Sequence, residues 1–364
     1  MSSWRGVLLM GSLLFIATAT LTPGRHIFSG GMRPDFWCFA CGAEGAADVT
    51  LNLALFVPLG VALSLLGVSP PRALLAGLVL SMAIECAQRF GWPPDRIANA
   101  TDVLTNSFGV FIGALMGWYR QTWLRPTPHV ARVLTVVGAL TVCSVLVFTA
   151  WALSPDTTSS ASQKLATGFR VSRFPFTPGY GWYHGRVSAA SVDEQSFTHV
   201  GDGPLILSGV VQQPLIGTVT LSGRDARQEF VPLLYVHGVH VSNPELMLGQ
   251  EGNDARMQVK LRGHRLRFPG PRVVLPGAFA ERASTDQTFT FSLTPAIWML
   301  SSSRDQVHRS VVLPVSLSLG WTLLQTVVHV GDRIGSLVSL VWLLVLWLPI
   351  GYWSVFAGRT DSKR

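Results

Sequence analysis

Glu85 is the residue whose surroundings most demand a chemical explanation. It stands in Ser81-Met82-Ala83-Ile84-Glu85-Cys86-Ala87-Gln88, inside an otherwise apolar run. A carboxylate in such a place is either neutralised by packing partners or used as a general acid or base. Ser81, Glu85 and Gln88 share one helical face, and two further pairs repeat the pattern at i,i+4: Asp48 with Asn52, and Asp102 with Asn106. Arg89 and Arg96 lie close by as candidate counter-ions. In the chemical reading Glu85 is the candidate catalytic group, Asp48 or Asp102 its partner, and Arg96 the holder of an anionic group such as phosphate. Asn52, Gln88 and Asn106 complete a binding cluster. Each residue also has a plain structural reading. Asp48 and Asp102 stand at helix starts, where Asp caps well; Asn52, Gln88 and Asn106 can bond neighbouring helices together.

The elements that must position these residues follow from composition. Charged residues make up 13% of the 364, about half the roughly 25% of an ordinary soluble domain. Apolar residues reach 48%, with twelve tryptophans and a mean hydropathy of +0.37. This excludes a disordered chain, a coiled coil and a collagen-like fibre. Six runs have nearly the length and polarity needed to cross a bilayer: 7–21, 51–66, 73–90, 103–118, 133–153 and 334–357. The first also has an A-x-A-like site at Ala17-Thr18-Ala19, as a signal peptide would; the four spans that follow it closely favour a retained helix.

Orientation follows from Lys and Arg in the short loops. Placing Arg5 inside also places Arg72, Arg120, Arg125 and Arg132 inside, together with Arg359, Lys363 and Arg364. The expected protein is multi-pass in the plasma (inner) membrane, with both termini cytoplasmic. The net charge of +8 then reflects loop topology and not nucleic-acid binding. In this topology the three polar pairs lie in the outer part of the bilayer.

Residues 154–330 change character. Glycine-rich turns separate short alternating runs at 217–221, 230–240, 257–268 and 288–293. They predict an all-β sandwich of the jelly-roll kind, placed outside the cytoplasm. Residues 311–319 alternate as a strand does, which counts against a seventh span there. The run 260–267 reads as a hairpin with basic side chains on one face, suited to anionic lipid headgroups or an acidic glycan; a solvated face is the plainer reading. Trp182, Tyr183 and Tyr235 are candidates for stacking on sugar rings or for the core. The expected fold class is a polytopic α-helical membrane bundle of about six helices with an extracytoplasmic all-β jelly roll. Its divisions are a five-helix domain at 1–153, the sandwich at 154–330, a C-terminal span at 334–357 and a tail at 358–364.

Several motifs stand in order: Asp48-x-x-x-Asn52-x-x-x-Phe56-x-Pro58-Leu59-Gly60, Glu85-x-x-Gln88, Arg96, then Asp102-Val103-x-x-Asn106-x-x-Gly109-x-x-x-Gly113. Over about residues 5–120 this resembles the VanZ family, named for a protein linked to resistance against the glycopeptide teicoplanin. Glu245-Leu246-Met247-Leu248-Gly249-Gln250, with Leu275-Pro276-Gly277-Ala278-Phe279, resembles the concanavalin A-like (LamG-type) domain fused to some VanZ-like proteins. The resemblance implies a location and a fold more than a reaction.

Cys38 and Cys41 form a C-x-x-C in the loop 22–48. A structural disulfide, or two loop thiols, is favoured over metal binding or redox catalysis, since no thioredoxin-like context surrounds them. Cys86 and Cys143 read as small apolar residues within spans. No cofactor or metal is expected. The bilayer is the expected partner, with a lipid-linked or cell-wall glycan as candidate ligand and nucleic acid excluded. Three functions compete: a non-enzymatic envelope protein that binds an amphiphile, an intramembrane enzyme using Glu85, and a small-solute transporter.

Overall fold

The computed structural model describes residues 3–23, 36–37, 45–94, 96, 98–156, 169–172, 186–192, 195–197, 203–205, 215–222, 230–237, 244–279, 286–325 and 333–358. They form two compact units, one mainly of Met1–Val145 and Leu343–Arg364, the other mainly of Leu146–Arg265 and Pro269–Trp342. Cys38, Cys41, Trp182 and Tyr183 lie outside the described residues, as does the Tyr235 side chain.

The first unit is helical: α1 (Ser3–Leu21), α2 (Gly45–Leu65), α3 (Pro70–Arg89), α4 (Ala100–Trp118), the short α5 (Arg120–Leu124), α6 (Pro128–Ala152) and α7 (Arg333–Ala357). Among the described residues five helices are long and apolar enough to cross a membrane: α1, α2, α3, α6 and α7. Helix α4 falls outside that set. Thr101, Asp102, Thr105, Asn106 and Ser107 make its first two turns polar, and its apolar remainder packs along α2.

Lipid tails give helices little hydrophobic reason to associate, so membrane helices meet through small residues and close backbone contact. Here a Cβ added at Gly60 would collide with the Val110 carbonyl; at Gly109 it would meet that of Leu53, and at Gly113 that of Val57. A Cβ at Gly117 would stand 2.8 Å from that of Ser64. Glycine at these positions lets α2 and α4 touch backbone to backbone. Ile16, Phe56, Leu59, Ala73, Ile84, Val110 and Ala114 fill the core between α1 and α4. Leu75, Val79, Met82 and Phe108 face outward, as they would toward lipid. Cys86 and Cys143 are free and also outward-facing. Gly138 of α6 makes room for Ile350 and Trp353 of α7. The Trp353 indole N–H donates to the Trp123 carbonyl at 2.9 Å, and the Tyr352 hydroxyl to that of Leu124.

The second unit is the expected antiparallel sandwich. Its strands are β1 (Phe169–Ser172), β2 (Arg186–Val192), β3 (Gln195–Phe197), β4 (Gly203–Leu205), β5 (Leu215–Ser222), β6 (Phe230–His237), β7 (Pro244–Glu251), β8 (Asp254–Val259), β9 (Val273–Leu275), β10 (Gln287–Leu293), β11 (Ile297–Arg304) and β12 (Val307–Pro314). They form two six-stranded sheets, ordered β4-β1-β6-β7-β8-β9 and β12-β11-β10-β5-β2-β3. The chain passes repeatedly from one sheet to the other, while β6–β9 and β10–β12 run as meanders. Alternate burial along β5, β8 and β10 matches the two-residue period expected of half-buried strands. Their inward residues, with Phe279, Trp298 and Leu248, make a core of large side chains. Phe279 stacks on Phe289 with ring centroids 5.2 Å apart.

Two expectations are corrected. The alternation at 311–319 is a strand only as far as Pro314, and Leu317–Leu323 is a 3-10 turn that buries Leu319, Trp321 and Leu323. The run 260–267 is not a hairpin: strand β8 stops at Val259, and Arg262–Leu266 is a second 3-10 turn. Partners elsewhere enforce that bend. The His264 Nδ1 accepts from the Leu261 N–H at 3.1 Å. Arg265 grips the buried Asp156 carboxylate with two bonds, at 2.8 and 2.5 Å.

Candidate functional site

The polar residues gather where α1 ends, α2 begins, α3 ends and α4 begins. Local sequence fixes these ends. Helix α3 starts at the Pro70-Pro71 pair after Ser69, where a missing N–H costs nothing. Helix α4 is capped by Asn99, whose Oδ1 accepts from the Thr101 N–H at 3.0 Å. Asp102 therefore lies inside the first turn and is not the cap, contrary to the capping reading. Asp48 likewise stands within the first turn of α2 and is exposed.

Freed from capping, Asp102 joins a chain of contacts across three helices. The Asn52 amide donates to Asp102 Oδ1 at 2.9 Å. Ser81 Oγ makes a long bond to the Asp102 carbonyl at 3.4 Å and accepts from the Asn106 amide at 2.9 Å. Ser81 is fully buried and Asn106 is 2% exposed. The Asn106 Oδ1 is buried with no hydrogen-bond partner, an acceptor whose loss of water is left uncompensated.

Glu85, 4% exposed, accepts the Asn99 backbone N–H on Oε2 at 2.8 Å. Its carboxylate thus stands at the N-terminus of α4, where the helix dipole favours negative charge. Asp102 and Arg96 both act on it electrostatically, while Asp48 and Arg96 act on Asp102. Asp48 and Glu85 are therefore coupled through Asp102, with Arg96 as a counter-charge to Glu85 and Asp102. Among the described residues no three His, Cys, Asp or Glu side chains are placed to hold a metal ion.

Arg96 and Gln88 are directed elsewhere. Arg96 donates from Nε to the Thr22 carbonyl at 3.1 Å and from Nη2 to that of Ala19 at 2.7 Å. Gln88 donates to the Thr20 carbonyl at 3.3 Å. Both satisfy the open carbonyls at the end of α1, so much of the Arg96 donor edge is turned away from any phosphate. Arg89 is exposed in the last turn of α3. The structure thus joins Asn52, Ser81, Asp102 and Asn106 directly. It sets Glu85 and Asp48 beside them electrostatically, and commits Gln88 and Arg96 to α1.

Asn99 is the site residue that sequence reasoning missed. Asn immediately before Ala100-Thr101-Asp102 is a helix-start signal, hidden when the run is taken to begin at 103.

No curated protein and no solved structure matches this chain. The family comparison covers the polar cluster and the glycine contacts together and stops before the sandwich, which carries no family name. Residues 8–121 match the VanZ/LLP1 family, and the chain carries a VanZ-like membrane domain there.

Proposed function

We propose that the VanZ-like domain holds the hydroxyl-rich head of a membrane amphiphile, a lipid-linked or cell-wall glycan, as part of the cell envelope. One observation carries the reading: Asn52, Ser81, Asp102 and Asn106 are linked at one end of the helices, beside Glu85, with a buried Asn106 acceptor left unpartnered. Sugar hydroxyls both donate and accept, and a surface rich in carboxylate and amide oxygens complements them. The protein in this reading is multi-pass in the plasma membrane with cytoplasmic termini, and its sandwich, resembling the concanavalin A-like domains, meets sugar outside. A link to glycopeptide resistance would follow from contact with the same cell-wall precursors. Native mass spectrometry with a polyprenyl-linked disaccharide, and with polyprenyl phosphate as the sugar-free control, tests it. The disaccharide lipid binds at least tenfold more tightly than the control, and Asn106→Leu removes that preference. Equal affinity for both lipids would sink the proposal.

A second reading is favoured by the electrostatic coupling of Glu85 to Asp102 within the cluster. Two carboxylates in one apolar setting suit general acid–base catalysis on the same amphiphile. Turnover would then vanish in Glu85→Gln while binding persisted. The transport reading draws less support, because the cluster described lies at one end of the helices and a solute path needs polar groups at both depths.

A further inference from the structure

Three aromatic side chains stand exposed at the end of the helices that holds the polar cluster: Trp37 at 71%, Phe90 at 89% and Trp92 at 58%. Exposed tryptophans at such a level usually serve as interfacial anchors, which need a depth and no fixed orientation. Phe90 and Trp92 fit that role. Their backbone N–H groups bond to the Cys86 and Ala87 carbonyls, so they finish the last turn of α3 and no more.

Trp37 is held differently. The carbonyl of its neighbour Phe36 accepts the Ala100 N–H at 2.9 Å, at the first residue of α4. The preceding N–H, that of Asn99, is the one bonded to Glu85 Oε2 at 2.8 Å. Phe36 and Glu85 are therefore fastened to consecutive backbone N–H groups, and Trp37 follows one residue beyond. The half-buried Phe36 ring meets the Trp37 ring edge-on, with centroids 5.2 Å apart and planes at 80°. The backbone bond and the ring contact together restrain the position and tilt of an indole that stays mostly open. A side chain ordered in advance loses less freedom when a ligand arrives.

The neighbouring groups decide what suits that indole. Asn52, Glu85, Asp102 and Asn106 present carboxylate and amide groups, which serve hydroxyls but offer no broad apolar surface. A sugar carries hydroxyls around its rim and C–H groups on its ring faces. An indole supplies a flat, electron-rich face for those C–H groups, as aromatic side chains do in ligand sites that also hold a few placed polar groups. A bare phosphate has no such face to present.

We propose that Trp37 is the residue that selects for sugar, by stacking on one ring of the glycan head whose hydroxyls reach the cluster of Asn52, Asp102 and Asn106. The inference rests on the glycan-head reading above and names the side chain that gives it specificity. The test uses the full chain in detergent micelles and native mass spectrometry with the same two probes, polyprenyl-linked disaccharide and polyprenyl phosphate. Trp37→Leu, which stays apolar, lowers affinity for the disaccharide lipid about fivefold and leaves that for polyprenyl phosphate unchanged. Trp37→Phe, which keeps an aromatic face, recovers most of the loss, and Trp92→Leu leaves both affinities as in wild type. A second measurement follows the indole itself. In protein labelled with 5-fluorotryptophan, the fluorine resonance missing from Trp37→Phe shifts with the disaccharide lipid and stays in place with polyprenyl phosphate. Equal loss for both lipids in Trp37→Leu would make Trp37 an interfacial anchor and overturn the proposal. So would an intact sugar preference in Trp37→Leu while Asn106→Leu still removes it, a result that spares the glycan-head reading. A wild type with no sugar preference sinks both together.

Discussion

The two units solve the packing problem in opposite ways. Between α2 and α4 the contact is made by absence: Gly60, Gly109 and Gly113 lie where any side chain would strike a carbonyl of the facing helix. In the sandwich the contact is made by bulk, with Phe279, Phe289, Phe291 and Trp298 fully or almost fully buried. Water rewards the burial of large apolar groups, and lipid does not. One chain thus carries both solutions, each matched to its own solvent. Buried polar groups do not follow that division. The sandwich satisfies Gln287 through Ala278, Ser302 and Arg304 but leaves the Arg256 Nε without a hydrogen bond. The helical unit leaves the Asn106 Oδ1 open within the cluster read as its binding site.

The comparison breaks most easily at Gly113. Gly113→Leu drives a branched side chain into the Val57 carbonyl, and destabilisation exceeds about 3 kcal/mol, the usual upper range for overpacking. Detergent-purified variant protein elutes as aggregate; a monodisperse peak of normal yield would contradict glycine-mediated contact. The converse change lies in the sandwich. Phe289→Ala costs about 3 kcal/mol, at the lower end for a buried aromatic, and is read as a lower thermal midpoint in near-ultraviolet circular dichroism. If the two substitutions proved equally mild, the contrast between the units would fail.

The smallest effect concerns His264. Burial, then the charges of Arg272 and Lys260, push its pKa down to about 4 from an ordinary value near 6.5. The folded state therefore holds it neutral, and the unfolded chain takes up the proton first as pH falls. The resulting stability is complete above about pH 6.5 and is lost progressively toward pH 4. Between pH 7 and 6 the loss is under about 1 kcal/mol. Thermal midpoints across that interval decline in wild type and decline less in His264→Gln. Identical slopes would remove His264 from the account.

Much of the site was legible because helical periodicity is local. Spacings of four brought Asn52, Asp102 and Asn106 into a shared cluster, and glycines spaced by four, as at 109, 113 and 117, are a local mark of close helix contact. What escaped was tertiary. Nothing near Arg96 in sequence announces that it reaches the end of α1. The alternation through 260–267 is a fair strand signal, overridden by Asp156, more than a hundred residues away and visible only once folded. Asp48 shows the limit of spacing as well: it shares a face with Asn52 by periodicity, yet stands exposed at the helix start while Asn52 reaches Asp102.

The fit of Trp353 and Ile350 against Gly138 reaches beyond helix packing. Helices α6 and α7 flank the sandwich in sequence, so their pairing at Gly138 and Ile350 closes the chain between them into a ring of about 210 residues. A ring has fewer unfolded arrangements than an open chain. By loop-closure entropy the denatured sandwich is raised by about 4–5 kcal/mol relative to a free domain of the same sequence. The membrane helices thereby act on the sandwich as a distant cross-link does, by restricting its unfolded states.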